Sequence, residues 1–472
     1  MKVKEYKYNI VARNIVEEIL PELQLNDLLP TTTELCARYE TSEITINRAL
    51  KILVGRGFVK RAQSKGTILI QHPGNLWENQ PVQPVKLSVL GIPVQTWNFM
   101  TAFERFLDRF CELNPHVSYQ VDYCTVNEYP ESIKTGKYDL ILVNTWALRE
   151  LITTPSLVKG FLPLDKIQGL AYDEKAYFPE VLKWCKSKQG LVCLPVTNSA
   201  IFQKTNLDYL GMSESPFSHE ITWDDFVATL RKIKKRDPSD RPLFCMRRDT
   251  NYWPLLLKIM GTEIFSKDGR KCLLGSPKMI KTVKMMYELI TNERLFVSSL
   301  YREHEEEHKE VIDWFGTGNL ACSWGSGLAL SDLPSFRCSY EPLPYQKHKT
   351  SHLLLEGVMV DRNTAHRETV KDVLNFLQTA GSQEFFENCT GISAQKYFAQ
   401  TYIDKLKPTH QGVQVIIDSL AYAESAIAVP RAKVYNYIEQ KLNMILLGIL
   451  PIEDTCREVA TEADLMLKNE EF

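Results

Sequence analysis

Residues 71–86, QHPGNLWENQPVQPVK, hold three prolines and a glycine and show no periodic apolar pattern. Proline fixes its own φ and lacks a backbone donor, so neither a helix nor an inner strand runs through such a stretch. The chain must fold on either side of it, and the segment reads as a stiff, partly extended linker. At 472 residues the chain is also too long for a single core.

On the short side, Tyr8 to Leu20 has helical spacing, with Ile10, Val11, Ile15, Ile19 and Leu20 expected on one apolar face. Pro21 and LNDLLP end that helix. TTTELCARYE offers threonine caps and turns Leu35 and Cys36 inward. Ser42 is placed to cap a third helix running to about Val54, in which Ile46, Ala49, Leu50 and Leu53 make the buried stripe. Thr45, Asn47, Arg48 and Lys51 are left pointing outward. Gly55 and Gly57 stop this helix, and FVKRA and GTILI alternate as two strands joined around Ser64-Lys65-Gly66. Three helices and a hairpin make a winged helix-turn-helix, whose third helix can enter a major groove.

Charge agrees with that division. Residues 1–75 carry eleven Lys/Arg against eight Asp/Glu, net +3, while the remainder is net −5. A basic head on an acidic body points to nucleic-acid contact by the head.

The stretch LPTTTELCARYETSEITINRALKILVGRGFVKRAQSKGTILI resembles the DNA-binding domain of the GntR family. Leu29-Pro30, Leu35, Ser42, Thr45, Ala49-Leu50, Gly57 and Gly66-Thr67 carry the likeness, and Thr45-Ile46-Asn47-Arg48-Ala49-Leu50 matches a form common in one subfamily. The resemblance implies operator DNA as partner, with Thr33, Ser42, Thr45, Asn47, Arg48, Lys51, Lys65 and Gly66 at the interface, and a homodimer on two half-sites. Glu43 stands where the family usually has Arg. That departure leaves the operator sequence open, and Glu43 is read as favouring the helix N-terminus.

Beyond the linker the pattern changes. VKLSVLGI, VSYQVDYC and YDLILVN read as strands alternating with helices such as WNFMTAFERFLDRFCELNP, which predicts a parallel, helix-covered sheet. Ligands of such sheets bind beyond the carboxyl ends of the strands, here near residues 93–97 and 144–146. Thr222 and Asp225 form a capping box for a further helix. The order of Tyr138-Asp139-Leu140, Leu194-Pro195, Phe202-Gln203-Lys204, Thr222-Trp223-Asp224-Asp225-Phe226, Phe315 to Trp324 and Thr390-Gly391-Ile392-Ser393-Ala394 resembles the sugar-binding group of ABC-type extracellular solute-binding proteins. The resemblance implies a two-lobed α/β domain of the periplasmic-binding-protein type II class. The expected organisation is therefore a winged helix-turn-helix (α+β) over 1–70, a linker over 71–85 and a solute-binding-protein-like body over 86–472.

No stretch approaches the ~20 consecutive apolar residues of a membrane helix, the N-terminus lacks a signal-peptide h-region, and eleven cysteines without a CxxC pair suit reduced thiols. A cytoplasmic protein is expected. His304-Glu305-Glu306-Glu307-His308 satisfies HExxH, but its surroundings, YREHEEEHKE, are charged almost throughout and lack the apolar shell a zinc helix needs. It reads as a solvated face, and no metal or other cofactor is expected. The Schiff-base lysine of an aminotransferase-like domain and a Gly-x-Ser-x-Gly elbow are both absent from the sequence, so no enzyme is expected.

Candidate solute contacts follow from aromatic stacking on sugar faces with polar companions. Trp97, Trp146 and Trp324 each follow an apolar strand, and Asn144, Thr197, Asn198, Ser323 and Glu356 are read at loop positions near them. Trp184 and Trp223 are read as core. The expected function is a regulator whose head binds operator DNA and whose body senses a small solute, a carbohydrate first. The alternatives are an enzyme tethered to DNA, or a solute-binding protein with a degenerate head.

Overall fold

Caps and apolar stripes together set the helices of the N-terminal unit. The computed structural model describes residues 7–55, 58–62, 66–72, 84–91, 98–124, 128–217, 220–236, 243–246, 253–266, 268–298, 314–326, 333–387, 389, 391–425 and 432–469. The chain folds as two compact units, residues 1–84 and 85–472. Most of the expected linker, residues 73–83, lies outside the described residues, as does Thr390.

In the first unit, α1 (Lys7–Glu18) buries Tyr8, Val11, Ala12, Ile15 and Val16. Ile10, assigned to that face from the sequence, is only half-buried, because the stripe runs through 8, 11, 12, 15 and 16 and Ile10 falls beside it. α2 (Thr32–Arg38) starts with a reciprocal capping box: Thr31 Oγ1 accepts from Glu34 N, and the Glu34 carboxylate accepts from Thr31 N at 2.7 Å. α3 (Glu43–Gly55) is capped by Ser42, whose Oγ accepts from Thr45 N at 3.4 Å. Ile46, Ala49, Leu50 and Leu53 are all buried, as the spacing predicts. β1 (Val59–Ala62) and β2 (Gly66–Leu69) pair antiparallel. The result is three helices and a wing around one small core of Ile15, Leu20, Leu35, Leu53 and Leu69.

The second unit carries β3 (Val85–Gly91), β4 (Val117–Tyr123), β5 (Leu140–Asn144), the small hairpin β6 (Lys186–Ser187) and β7 (Gly190–Leu191), and β8 (Leu194–Asn206). Then follow β9 (Phe244–Met246), β10 (Phe296–Ser298), β11 (Cys322–Ser326), β12 (Cys338–Glu341), β13 (Ser351–Val360), β14 (Ile392–Ser393) and β15 (Ala423–Ser425). Among the described residues the main sheet runs β10-β9-β11-β8-β13-β5-β3-β4, with β12 and β14 beside β8 and β15 beside β13. It is parallel only towards its ends. At the centre β13 runs antiparallel to both β5 and β8, and β8 antiparallel to β11, which corrects the parallel sheet expected from the sequence. The reason is that β8 and β13 are shared strands, and alternation of β and α patterns does not register a strand leaving one lobe for the other.

β8 makes that sharing explicit. Residues 194–200 pair with β13, whereas 201–205 pair with β11 and 203–206 with β12. The lobe cores follow suit: Ala200 and Phe202 belong to the first apolar cluster and Ile201 to the second. In the first lobe, α4 (Phe99–Leu113) aligns Phe99, Phe103, Phe106 and Phe110, and Phe106 stacks on Phe376 at 5.3 Å between centroids. In the second, helix 432–446 buries Tyr435, Ile438, Leu442 and Ile445. That helix face is lobe core.

Candidate DNA-reading face and solute site

On the N-terminal unit, α3 turns Ile44, Asn47, Arg48 and Lys51 to one side, at i, i+3, i+4 and i+7. Asn47 and Lys51 are exposed, Thr45 is half-buried, and Thr33 is exposed in the first turn of α2. Arg48 is not simply outward: it is half-buried, its guanidinium 5.8 Å from the Tyr8 ring centroid, which corrects the free side chain expected from the sequence. The cause is local. Tyr8 closes the α1 stripe at just the height of Arg48, and a guanidinium over an aromatic face is favourable. Gly66 begins β2 with φ +101, and a Cβ there would also meet Leu28 Cδ2 at 3.3 Å, so only glycine suits the position. Lys65 lies outside the described residues.

A residue the sequence reading passed over joins this face. Arg61, on β1, donates from Nη2 to Asn47 Oδ1 at 2.6 Å. Its one signal in the sequence was a basic residue on an alternating strand beside the wing tip.

In the body, three of the residues picked from the sequence meet. Glu356 of β13 lies opposite Asn144 of β5 on one side and Thr197 of β8 on the other. Thr197 Oγ1 donates to Glu356 Oε2 at 2.7 Å. Asn198, the next residue of β8, faces the other side of the sheet. Its Nδ2 donates to Ser393 O at 3.1 Å, while its buried Oδ1 has no partner among the described residues. Thr197, Asn198 and Glu356 are strand residues rather than the loop residues expected, because both faces of β8 and β13 are covered; the ladder continues past them with a register shift between Glu356 and Gly357. Glu356 is 3% exposed, and burial pushes its carboxyl up to about 8 against the opposing pull of the Thr197 hydroxyl.

Asn144 ends β5 and accepts from Ala147 N at 3.0 Å, so it caps α5 (Thr145–Thr153). Thr145, missed in the sequence, is buried and accepts from Leu355 N at 2.7 Å, tying α5 to β13. Trp146 follows, half-buried. Its helix leaves a first-lobe strand, yet its ring packs against the second apolar cluster, edge-on to Tyr435 at 6.3 Å. Trp253 and Phe265 also meet Tyr435, at 6.3 and 5.3 Å.

Ser323 and Trp324 do not join this group. They sit on β11 opposite Lys204 and Gln203, and Trp324 is 3% exposed with its ring edge-on to Phe244 at 5.1 Å. Trp324 is a core ring, which corrects its reading as a strand-end contact: it lies within β11, where the second lobe closes over that face. Trp223 is core as expected. A second hydroxyl–carboxyl pair lies further along β8, where Thr205 Oγ1 donates to the buried Glu341 Oε2 at 2.7 Å. Trp97 and the HExxH run 304–308 lie outside the described residues. Among the described residues no three His, Cys, Asp or Glu side chains come close enough to hold a metal ion, and none of the eleven cysteines forms a disulfide.

With the geometry in place, comparison with known proteins is decisive for family. The pattern of bacterial extracellular solute-binding proteins matches residues 96–384. The chain belongs to that family. Its head matches the bacterial regulatory proteins of the gntR family over residues 7–69, so this solute-binding protein carries a GntR-type DNA-binding domain. Both are families of binding proteins and not of enzymes. The head is 31% identical over 67 residues to the "Probable transcriptional regulator PhnF" of Escherichia coli, covering 14% of this chain and 28% of that one. It is 33% identical over 85 residues to the "Probable fructoselysine utilization operon transcriptional repressor" of Escherichia coli, covering 18% and 32%. The chain thus spans less than a third of the length of these curated relatives.

The body shares its fold with solved solute-binding proteins. An ABC substrate-binding protein from Listeria monocytogenes in complex with cycloalternan superposes with a TM-score of 0.66 at 16% identity, covering 82% of this chain and all 100% of that one. The maltose-bound MalE3 of T. maritima gives 0.63 at 14%, covering 81% and 100%. No described helix of this solute-binding protein is long and apolar enough to cross a membrane.

Proposed function

We propose that the protein is a ligand-responsive transcriptional regulator, in which the GntR-type head binds operator DNA and the solute-binding body senses a small carbohydrate. The single observation that carries this reading is the joining of these two domains in one chain. A solute-binding fold has two states, open and closed, and a ligand shifts that balance by binding one of them better. A DNA-binding head in the same chain gives the shift somewhere to be read. The carbohydrate assignment draws on the cycloalternan and maltose held by similar folds, and on Trp146, a half-buried ring two residues beyond Asn144, whose strand neighbour Glu356 is joined to Thr197. We assign Trp97, Asn144, Trp146, Thr197 and Glu356 to the solute site, and Thr33, Ser42, Thr45, Asn47, Arg48, Lys51, Lys65 and Gly66 to the DNA face. The protein acts as an intracellular homodimer on two half-sites, without a cofactor.

The test has two arms. A thermal-shift screen against mono- and oligosaccharides should find a ligand that, at 100 times its dissociation constant, stabilises by about 2.7 kcal/mol. Mobility shift on duplexes selected from a random pool should show sequence-specific binding that the same ligand changes. A chain that binds sugar but no duplex is a solute-binding protein with a degenerate head. Turnover of the bound sugar would make it a tethered enzyme.

A further inference from the structure

The exposed face of α3 carries a pairing whose chemistry narrows what it can read. Arg61 reaches from the wing strand to the recognition helix and donates to Asn47 at 2.6 Å. Arginine has only donors, so the atom of Asn47 that faces it must be the carbonyl oxygen, leaving the NH2 pointing outward. Both side chains are exposed, so the pair is presented to whatever the helix meets.

An unencumbered asparagine in a major groove pairs bidentately with adenine: its oxygen accepts from N6 and its NH2 donates to N7. Here that oxygen is occupied. A second lone pair remains, but the guanidinium beside it puts positive charge where the N6 amino group would approach. Guanine presents two acceptors, O6 and N7, and no donor at that edge. The Asn47 NH2 and a free guanidinium N–H together offer two donors.

We infer that Arg61 is a specificity-determining residue which converts Asn47 from an adenine reader into half of a donor pair that selects guanine. This rests on the reading of the head as a DNA-binding domain. The neighbouring position adds a second base to the signature. Ile44 lies one turn before Asn47 on the same face and is 65% exposed, so its side chain is free to meet an apolar group on the base edge. In a major groove the apolar group available is the thymine methyl.

The experiment is selection of binding sites from a random duplex pool by the full chain, with Arg61→Ala, Arg61→Lys and Asn47→Ala in parallel. The native chain should enrich a guanine whose exchange for adenine weakens binding between about fivefold and 150-fold. Arg61→Ala should lose or reverse that preference at this one position and keep the rest of the site. Arg61→Lys, which retains a donor, should keep guanine, and Asn47→Ala should lose preference at the same position. Replacing thymine by deoxyuridine next to it should weaken the native chain but not Ile44→Ala. If Arg61→Ala enriches the same base at every position, or lowers affinity uniformly and reduces the salt dependence, Arg61 is a phosphate contact and the inference is overturned. A pool that enriches no sequence at all overturns the DNA-binding reading itself, and the inference with it.

Discussion

Thr197 donates its hydroxyl to the buried carboxyl of Glu356 at 2.7 Å, joining two long strands of the body at the centre of its sheet. Asn144 is the strand neighbour of Glu356 on the other side, so the acid lies between two strands with almost no water. Its raised ionisation range has a thermodynamic signature. The unfolded chain releases this proton near the ordinary glutamate range, while the folded chain holds it until about 8. Between those limits the native state binds the extra proton, so its stability falls as pH rises and levels off above about 8. Below the unfolded value the contribution is fully present. Glu356→Gln, which keeps the shape without an ionisable proton, should flatten that slope of about 1.4 kcal/mol per pH unit. Melting curves of both proteins at pH 5.5 and pH 8.5 check this, and an equal pH dependence in the two would contradict it.

Trp146 and Trp324 should separate cleanly. Trp324→Ala empties a core position and should destabilise by about 3–5 kcal/mol. Trp146→Ala, half-buried, should cost less stability but abolish the sugar-dependent thermal shift. Melting temperatures with and without the sugar found by screening provide both readouts.

Gly357 of β13 packs against the residues that lead into β8: a Cβ there would come within 2.5 Å of Cys193 Sγ and 2.8 Å of Leu194 O. Backbone cannot yield as a side-chain tip can, so Gly357→Ala should destabilise by about 1–3 kcal/mol. Denaturant titration of the purified variant measures it; a midpoint equal to that of the native chain would show that the strands relax freely.

Arg48→Ala should weaken operator binding and reduce its salt dependence by about one phosphate's worth. Because Arg48 also lies over Tyr8, the same change should lower stability by about 0.5–1 kcal/mol. Binding isotherms at several salt concentrations, together with thermal melting, separate the two effects.

Coupling between the sites must be reciprocal. If sugar changes operator affinity, operator must change sugar affinity by the same factor, with a coupling free energy of roughly 1–3 kcal/mol. Calorimetry of sugar binding with and without operator gives the number directly. Equal dissociation constants in a chain that binds both would remove the body from the switch.

What the sequence disclosed is uneven for physical reasons. The α3 stripe and the Ser42, Thr31 and Thr222 caps were legible because helix periodicity and capping act within a few residues. The meeting of Asn144, Thr197 and Glu356 was reachable only through the resemblance, since strands more than a hundred residues apart in sequence leave no local trace of their pairing. Their placement inside strands was missed because TNS and the Glu of LLLEG look like interruptions until both neighbours of each strand are known. Trp324 misled for the opposite reason: a tryptophan near an apolar strand looks the same whether the next lobe covers it or not. Arg61 escaped because its partner is fourteen residues away across a turn, a contact that neither helix nor strand periodicity encodes.

β8 serves both lobes, and its two hydroxyl–carboxyl pairs hang from Thr197 and Thr205, an even number of residues apart along a strand whose side chains alternate. Adding or deleting one residue between them would turn one pair to the opposite face, together with every side chain of that lobe beyond the change. Length variation in this segment should therefore come in steps of two, or bring a bulge that restores the faces, as the register shift at Glu356 and Gly357 already does beside Thr197. A relative of this chain that has changed by one residue between 197 and 205 should show such a bulge, however far its loops have drifted.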